Sequence, residues 1–225
     1  MKLCRFDEDR LGVVIGDTIH DITDIQTEIR AAARYDMLGD AVIAALPEWR
    51  ERMEQAAASA PTKKVSDVKL LPPIARSSKT MAAPVNYEAH VAEMKAQPHV
   101  TGEDKGPSRP SGIQNQGIFL KANSAVVGAS EGVAIRFPDR RNDHEVEFVI
   151  VIGKKGSHIK KEDGLDYIAG YTLGLDMTVR GVEDRSFRKS CDGYAPMGPY
   201  FVTADEFPDP NNVDFQVYLN GNLQQ

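Results

Sequence analysis

The sequence has few cysteines, few aromatic residues and no long apolar run. Its two cysteines, Cys4 and Cys191, cannot form a disulfide framework and fit a reducing compartment. No stretch reaches the ~20 apolar residues that a membrane-spanning helix needs. The first ten residues carry charges where a secretion signal needs an apolar segment. We therefore expect a cytoplasmic protein with no membrane partner.

Basic residues are scarce relative to acidic ones. The 27 lysines and arginines face 33 aspartates and glutamates, which gives a formal net charge of −6. A protein that binds nucleic acid needs a basic surface against the phosphate backbone, so this balance argues against a nucleic-acid partner. Hydrophobic residues at 41% and charged residues at 27% are ordinary for a globular chain and argue against disorder.

The pattern of apolar residues predicts two units of different character. Residues 1–62 combine short strands with an amphipathic helix over 38–53, and the small and polar residues at 56–64 are interpreted as a linker. Strand-like runs then dominate the larger unit, 69–225. These runs lie at 118–121, 125–127, 146–152, 171–175, 200–202 and 213–219. The expected fold class is α+β and mostly β, with a small α+β domain at the N-terminus.

Two segments interrupt this pattern. Residues 95–117 contain four glycines and three prolines, a composition that indicates either a functional lid or disorder. Asn220-Gly221 predicts a tight hairpin turn, yet only four residues follow it. Because such a short return strand would leave the hairpin unpaired, we expect the chain to be incomplete at this end.

Three acidic residues alternate at the start of an apolar strand. Asp143, Glu145 and Glu147 are spaced by two, so their side chains share one face of the predicted strand. Crowded carboxylates beside a core need a cation or protons to neutralise them, and carboxylate oxygens suit Mg²⁺, Mn²⁺ or Ca²⁺. Residue types alone equally allow an exposed edge strand with solvated acids.

A fourth acid and a lysine pair are less specific signals. Asp176 lies within an apolar, β-branched run, where it could serve a metal or form a salt bridge to Arg180. Lys121 and Lys189 could each bind an anionic group of a substrate or be simply solvated.

One histidine has the spacing of a general base. His90 and Glu93 are three residues apart and would be neighbours on a helix. A carboxylate beside an imidazole fixes its tautomer and raises its basicity, as activation of water requires. The same pair is common on ordinary helix surfaces, so the spacing alone does not identify a site.

Taken together, these segments resemble the fumarylacetoacetate hydrolase family. The resemblance runs in family order from about residue 69 to the end. The matching residues are Asn86-Tyr87 with His90 and Glu93, Phe119-Leu-Lys121, Asp143-x-Glu145-x-Glu147, Gly170-Tyr-Thr172, Asp176-x-Thr178-x-Arg180, Lys189-Ser190, Asp192-Gly193 and Gly198-Pro199.

The resemblance implies a mixed β-roll, a homodimer, and Mg²⁺ or Mn²⁺ as cofactor, with Ca²⁺ also compatible. The implied metal ligands are Glu145, Glu147 and Asp176. His90 and Glu93 would activate water, and Lys189 would lie near the forming enolate. The implied substrate-binding residues are Asn86, Tyr87, Lys121, Arg180 and Glu183. Glu183 stands where the best-known eukaryotic hydrolase has glutamine.

The expected activity is metal-dependent hydrolysis of the carbon–carbon bond of an acylpyruvate, a small 2,4-diketo acid, in aromatic catabolism. Oxaloacetate decarboxylation or tautomerisation, and dienedioate isomerisation or decarboxylation, are alternatives within the family. An alternative of another class is a truncated, non-catalytic chain that binds a metal or a partner. The family's C-terminal section, which carries a Thr-Gly-Thr-Pro loop, is expected to be missing here.

Overall fold

The protein is described as a computed structural model that covers residues 1–32, 39–84, 86–87 and 113–224. His90, Glu93 and residues 95–112 of the predicted lid lie outside the described residues. The strands are β1 Lys2–Phe6, β2 Arg10–Ile15, β3 Thr18–Asp21, β4 Thr62–Lys64, β5 Leu70–Leu71, β6 Thr80–Ala82, β7 Phe119–Lys121, β8 Val126–Gly128, β9 Asn142–Ile152, β10 Ile168–Val179, β11 Ala195–Thr203, β12 Tyr218–Leu219 and β13 Asn222–Leu223. The α-helices are α1 Thr23–Ala32, α2 Ala41–Ser59, α3 Ile113–Gln116 and α4 Arg185–Lys189.

Nine of these strands form one sheet. Its main path runs β4-β3-β2-β1-β11-β10-β9, while β5 pairs with β1 and β8 pairs with β11. All pairings are antiparallel except that of β8 with β11. The predicted α+β class with mostly β structure is confirmed. Because β1 pairs directly with β11, the N-terminal strands continue the sheet of the larger unit, and the division into 1–62 and 69–225 stays a prediction.

Alternation along β1 places consecutive side chains in two cores on opposite faces of the sheet. Leu3 faces the helical side, where it joins Met53 of α2 and Phe201 of β11. Cys4 and Phe6 face the other side, where residues of β2, β3 and β5 cover them. This arrangement follows from the two-residue period of a strand.

Helix α2 is longer than the sequence pattern predicts. Its N-cap is Asp40, whose carboxylate accepts hydrogen bonds from the backbone N–H groups of Val42 (2.9 Å) and Ile43 (3.2 Å). The helix continues to Ser59. The predicted linker at 56–64 is therefore wrong, because alanines favour helix, Ala57 is buried, and β4 follows directly.

Two further differences concern elements near the ends of the described chain. Helix α1 was not predicted, although Ile25 and Ile29 have helical spacing and are both buried. The predicted strand over 213–219 is wrong for 213–217, since only Tyr218 and Leu219 pair with another strand. The predicted turn at Asn220-Gly221 is confirmed, with positive φ angles of 52° and 80°. Among the described residues, we find no helix with the length and apolar character to cross a membrane.

Candidate metal centre

Three carboxylates converge on one face of the long β9–β10 hairpin. Glu145 is directly opposite Asp176 in the antiparallel register, and Glu147 lies two residues further along β9 on the same face. One oxygen of each carboxylate can be chosen so that all three lie within 4.8 Å of one another. Asp176 is buried, whereas the two glutamates are half-buried. Pairing of β9 with β10 therefore assembles the cluster.

Two buried lysines contact the same cluster. Nζ of Lys189 lies 2.6 Å from Oδ2 of Asp176, 2.9 Å from Oε2 of Glu145 and 2.6 Å from Oγ1 of Thr178. Lys121 donates a hydrogen bond to Oδ1 of Asp176. Burial lowers the pKa of the Lys121 ammonium below its ordinary value, although the charge of Asp176 opposes that shift. Thr178, which the sequence motif includes but to which no role was assigned, shares the face of Asp176 because it is two residues along β10.

The fourth acid, Asp143, is neutralised by two arginines. Its carboxylate lies 2.6 and 2.9 Å from two nitrogens of Arg141, and 2.7 Å from Nε of Arg180. Burial acts to raise the pKa of Asp143, but these two guanidinium groups outweigh it and hold that pKa below its ordinary value. Asp143 therefore shares the face of Glu145 without joining the three-carboxylate cluster.

Arg180 connects Asp143 to the cluster. Its Nη2 lies 2.7 Å from Oε1 of Glu145, while its Nε contacts Asp143. The alternative in which Asp176 forms its salt bridge with Arg180 is wrong, because Asp176 pairs with Lys121 and Lys189 instead. The register between β9 and β10 explains why Arg180 pairs with Asp143. It places Asp143 opposite Thr178, close to the end of β10, and Arg180 is the first residue after that strand.

Glu147 has a neutral partner. The hydroxyl of Tyr87 donates a hydrogen bond to its Oε2 at 3.0 Å. Burial raises the pKa of Glu147 to about 7, and the charges of Asp176 and Glu145 add to this effect, whereas Tyr87 and Lys189 oppose it. The described side chains around Glu147 therefore supply too little positive charge to offset its burial.

The residues present fit a divalent cation. Three carboxylates in one cluster are hard oxygen ligands, the donor type that Mg²⁺, Mn²⁺ and Ca²⁺ prefer. Oxygen ligands lie about 2.1 Å from Mg²⁺, so two of them are at most about 4.2 Å apart, close to the observed spread. A cation at this place would also supply the charge that Glu147 lacks.

The remaining predicted site residues lie in different surroundings. Asn86 is exposed. Glu183 forms a surface ion pair with Arg140, with N–O distances of 2.7 and 2.9 Å. The structure thus brings together Tyr87, Lys121, Glu145, Glu147, Asp176, Arg180 and Lys189. Cys191 is half-buried, and its Sγ lies 3.9 Å from the carbonyl oxygen of Phe187.

Comparison with known families identifies the larger part of the chain. The family described as fumarylacetoacetate (FAA) hydrolase C-terminal matches residues 79–225, which include every residue of the cluster. The chain belongs to the fumarylacetoacetate hydrolase family. This membership agrees with the resemblance that the sequence motifs indicated.

Two relatives show how far the similarity extends along the chain. Maleylpyruvate hydrolase of Aquipseudomonas alcaligenes is 44% identical over 226 residues, which cover 100% of this chain and 78% of that protein. The mitochondrial oxaloacetate tautomerase Fahd2a of Rattus norvegicus is 32% identical over 165 residues, which cover 71% of this chain and 48% of that protein.

A solved structure in the fumarylacetoacetate hydrolase family shares the fold. It is the maleylpyruvate hydrolase of Sphingobium sp. SYK-6 in complex with manganese(II) ion and pyruvate. The TM-score is 0.80 and the sequence identity is 36%, with 100% of this chain and 75% of that chain covered.

Proposed function

We propose that this protein is a metal-dependent hydrolase that cleaves the carbon–carbon bond of acylpyruvates, with maleylpyruvate as the first candidate substrate. The similarity to maleylpyruvate hydrolase over the full length of the chain carries this proposal. The cluster of three carboxylates supports it, because it offers a divalent cation the ligands that it requires.

In this proposal Glu145, Glu147 and Asp176 hold Mg²⁺ or Mn²⁺. When bound, the cation supplies Lewis-acid stabilisation of the negative charge on the pyruvate enolate that leaves. The three ligands come from two paired strands, so the register of the hairpin sets their relative positions. Tyr87 orients Glu147 through its hydrogen bond and thus supports the ligand set from outside.

Lys189 and Arg180 provide positive charge at the same place. The Lys189 ammonium donates hydrogen bonds to both Glu145 and Asp176. A substrate oxygen that binds at the carboxylate cluster would therefore lie next to this ammonium group. We assign Lys189 the role of donating a hydrogen bond to the enolate oxygen as its charge develops. Arg180 donates a hydrogen bond to Oε1 of Glu145, the oxygen that Lys189 does not contact.

His90 and Glu93 are assigned to water activation on the sequence alone. His90 would take a proton from water as the oxygen attacks the C4 carbonyl carbon, with Glu93 orienting the imidazole. The bond between C3 and C4 then breaks, its electron pair forms the pyruvate enolate, and protonation at C3 gives pyruvate. The acyl group leaves as a carboxylic acid, so one water is consumed for each bond cleaved.

The proposal also covers the natural metal ion, the oligomeric state and the location of the protein. Mg²⁺ and Mn²⁺ are both candidates for the natural ion, and the manganese complex of the Sphingobium relative supports testing both. The family resemblance supports a homodimer, which light scattering would test. The scarcity of cysteine supports a cytoplasmic location.

A second candidate function is tautomerisation of oxaloacetate. The similarity to the rat oxaloacetate tautomerase favours it, although that match covers only 71% of this chain. The two reactions share a metal-bound enolate and differ in whether water attacks a second carbonyl group. Product analysis therefore separates them.

The deciding experiment follows the loss of enol absorbance with maleylpyruvate, a series of shorter acylpyruvates and oxaloacetate. Each reaction is run after EDTA treatment and again after addition of Mg²⁺ or Mn²⁺. Metal-dependent loss with one pyruvate and one carboxylic acid per turnover supports hydrolysis. Turnover of oxaloacetate without C–C cleavage supports the tautomerase instead, and metal binding without any turnover supports a non-catalytic chain.

A further inference from the structure

The ammonium group of Lys189 has a partner for each of its three N–H donors. Its Nζ lies 2.6 Å from Oδ2 of Asp176, 2.9 Å from Oε2 of Glu145 and 2.6 Å from Oγ1 of Thr178. An ammonium group carries three donors, so these contacts account for its full hydrogen-bonding capacity. A substrate oxygen can therefore accept a hydrogen bond from Lys189 only when it replaces one of the three acceptors.

The three acceptors differ in how a bound cation affects them. Glu145 and Asp176 belong to the proposed ligand set, so the positive charge of a cation offsets the negative charge that holds the ammonium. Asp176 also accepts a hydrogen bond from Lys121 through its other oxygen. The hydroxyl of Thr178 is uncharged and lies outside the ligand set. It is therefore the acceptor that stays with Lys189 when a carboxylate contact is given up.

The direction of the Thr178 hydroxyl is set by the strand that carries it. Its side chain is 0% exposed, and its neighbours Met177 and Val179 on β10 are buried in a hydrophobic cluster with Tyr194. Oγ1 of Thr178 donates a hydrogen bond to the backbone carbonyl oxygen of Asp176 at 3.1 Å. Because a hydroxyl has one hydrogen, its lone pairs remain for Lys189, and branching at Cβ restricts rotation of the side chain. Thr178 thus offers Lys189 an acceptor in a fixed position.

We propose that Thr178 is a positioning residue: it holds the Lys189 ammonium at the cluster while the enolate oxygen of the substrate replaces one of the two carboxylate contacts. This inference rests on the proposed function, because it takes Lys189 to donate a hydrogen bond to that oxygen. Thr178 acts through Lys189. The exchange replaces one hydrogen bond by another and breaks no covalent bond.

Two small ligands test the inference without any turnover. Oxalate and pyruvate both carry a carboxylate next to a second oxygen, which is negatively charged in oxalate, as in the enolate, and is a neutral carbonyl oxygen in pyruvate. Calorimetric titration into the Mg²⁺-loaded full chain, with the same excess of Mg²⁺ in both solutions, gives the ratio of their affinities. Because a hydrogen bond to a charged acceptor is the stronger one, this ratio reports how well Lys189 is placed.

The chain offers variants that separate the hydroxyl from the volume of the side chain. Thr178→Val replaces the hydroxyl by a methyl group, whereas Thr178→Ser keeps the hydroxyl and removes a methyl group. Thr172→Val is a matched control, because Thr172 is another buried threonine of β10 and its Oγ1 lies 3.5 Å from the carbonyl oxygen of Leu173. Thermal unfolding and Mg²⁺ titration are measured for every variant.

We expect Thr178→Val to weaken oxalate binding about 10-fold, with nearly unchanged affinities for pyruvate and Mg²⁺. Thr178→Ser should unfold at a lower temperature, since it loses a buried methyl group, and yet keep the oxalate-to-pyruvate ratio. Thr172→Val should keep the ratio as well. A role in stability alone predicts the opposite pattern, in which the ratio follows the unfolding temperature.

Several results would overturn the proposal. They are an unchanged ratio in Thr178→Val, an equal loss of the ratio in Thr178→Ser, a large loss of Mg²⁺ affinity in Thr178→Val, and no oxalate binding by the unchanged protein. If valine prevents folding, Thr178→Ala removes the same hydroxyl with less steric demand and is held to the same expectations.

The outcome is separable from that of the proposed function. If the oxalate-to-pyruvate ratio depends on the Thr178 hydroxyl but no acylpyruvate is hydrolysed, the hydrolase assignment fails and the role of Thr178 stands. If maleylpyruvate is hydrolysed and Thr178→Val changes neither kcat nor the ratio, the role of Thr178 fails alone.

Discussion

The hydroxyl of Tyr87 donates a hydrogen bond to Glu147 (3.0 Å) and accepts one from the backbone N–H of Phe148 (3.2 Å). This hydroxyl therefore links Tyr87 to a carboxylate of β9 that is 60 residues later in the chain. Burial raises the pKa of Tyr87 to about 12, so the hydroxyl keeps its proton at neutral pH. The group that orients Glu147 is therefore a hydrogen-bond donor.

Replacing Tyr87 by phenylalanine should weaken Mn²⁺ binding. Its hydrogen bond favours the ionised form of Glu147, so its loss raises the pKa of Glu147 further and leaves less ligand at pH 7. Loss of an outer partner of a metal ligand typically costs about 10- to 100-fold in affinity. Calorimetry measures the change, with Tyr218→Phe as an exposed control. An unchanged affinity would remove Tyr87 from the metal centre.

The substitution Glu145→Gln should weaken Mg²⁺ binding strongly. An anionic ligand becomes a neutral amide, which also leaves Lys189 and Arg180 with one acceptor charge fewer. Calorimetric titration of Mg²⁺ measures the loss. Glu48→Gln makes the same chemical change on an exposed face of α2 and should bind like the unchanged protein. Equal affinities in both variants would contradict the assignment of Glu145 as a ligand.

Replacing His90 by alanine should abolish hydrolysis of maleylpyruvate while metal affinity stays nearly unchanged. His90 is assigned to deprotonate water, and it is not among the proposed ligands. The measurements are pyruvate release and calorimetric Mg²⁺ titration of the same preparation. Turnover at the unchanged rate would show that His90 is not the general base, and a large loss of metal affinity would give it another role.

The two cysteines should differ in reactivity towards a thiol reagent. Burial raises the pKa of the Cys4 thiol to about 12, and the charge of Asp21 acts in the same direction, so Cys4 stays protonated at pH 8. Because the thiolate is the reactive form, Cys4 should react only after unfolding, whereas the half-buried Cys191 should react first. Absorbance of the released chromophore counts the reacted groups. Cys191→Ser should then show no fast phase, and a persistent fast phase would contradict the burial of Cys4.

Truncating Met53 should destabilise the fold. Its side chain is 0% exposed in the core between α2 and the sheet, so Met53→Ala leaves a cavity. Such substitutions cost about 2–5 kcal/mol of the free energy of unfolding. Urea unfolding measures the loss, and the exposed Glu48→Ala should remain within about 0.5 kcal/mol of the unchanged protein. If Met53→Ala lowered the free energy of unfolding by less than about 0.5 kcal/mol, the burial of Met53 in the core would be contradicted.

Local patterns predicted much of the secondary structure. The alternation in β9, the helical spacing in α2 and the turn at Asn220-Gly221 each depend on residues close in sequence, and the structure contains all three. The strand expected over 213–217 has the same alternating pattern, yet it pairs with no strand among the described residues. Alternation describes a surface that can pair, and only a neighbouring strand makes it part of a sheet.

The sequence by itself determined the acidic face of β9, because a two-residue period puts Asp143, Glu145 and Glu147 on one side of a strand. The family resemblance implied Glu145, Glu147 and Asp176 as ligands, but only the tertiary structure shows what brings these three together and keeps Asp143 apart. The register with β10 brings Asp176 opposite Glu145, while Arg141 and Arg180 occupy Asp143. The physical reason is that side-chain direction is a local property of the backbone, whereas register and charge pairing join residues that are tens of positions apart.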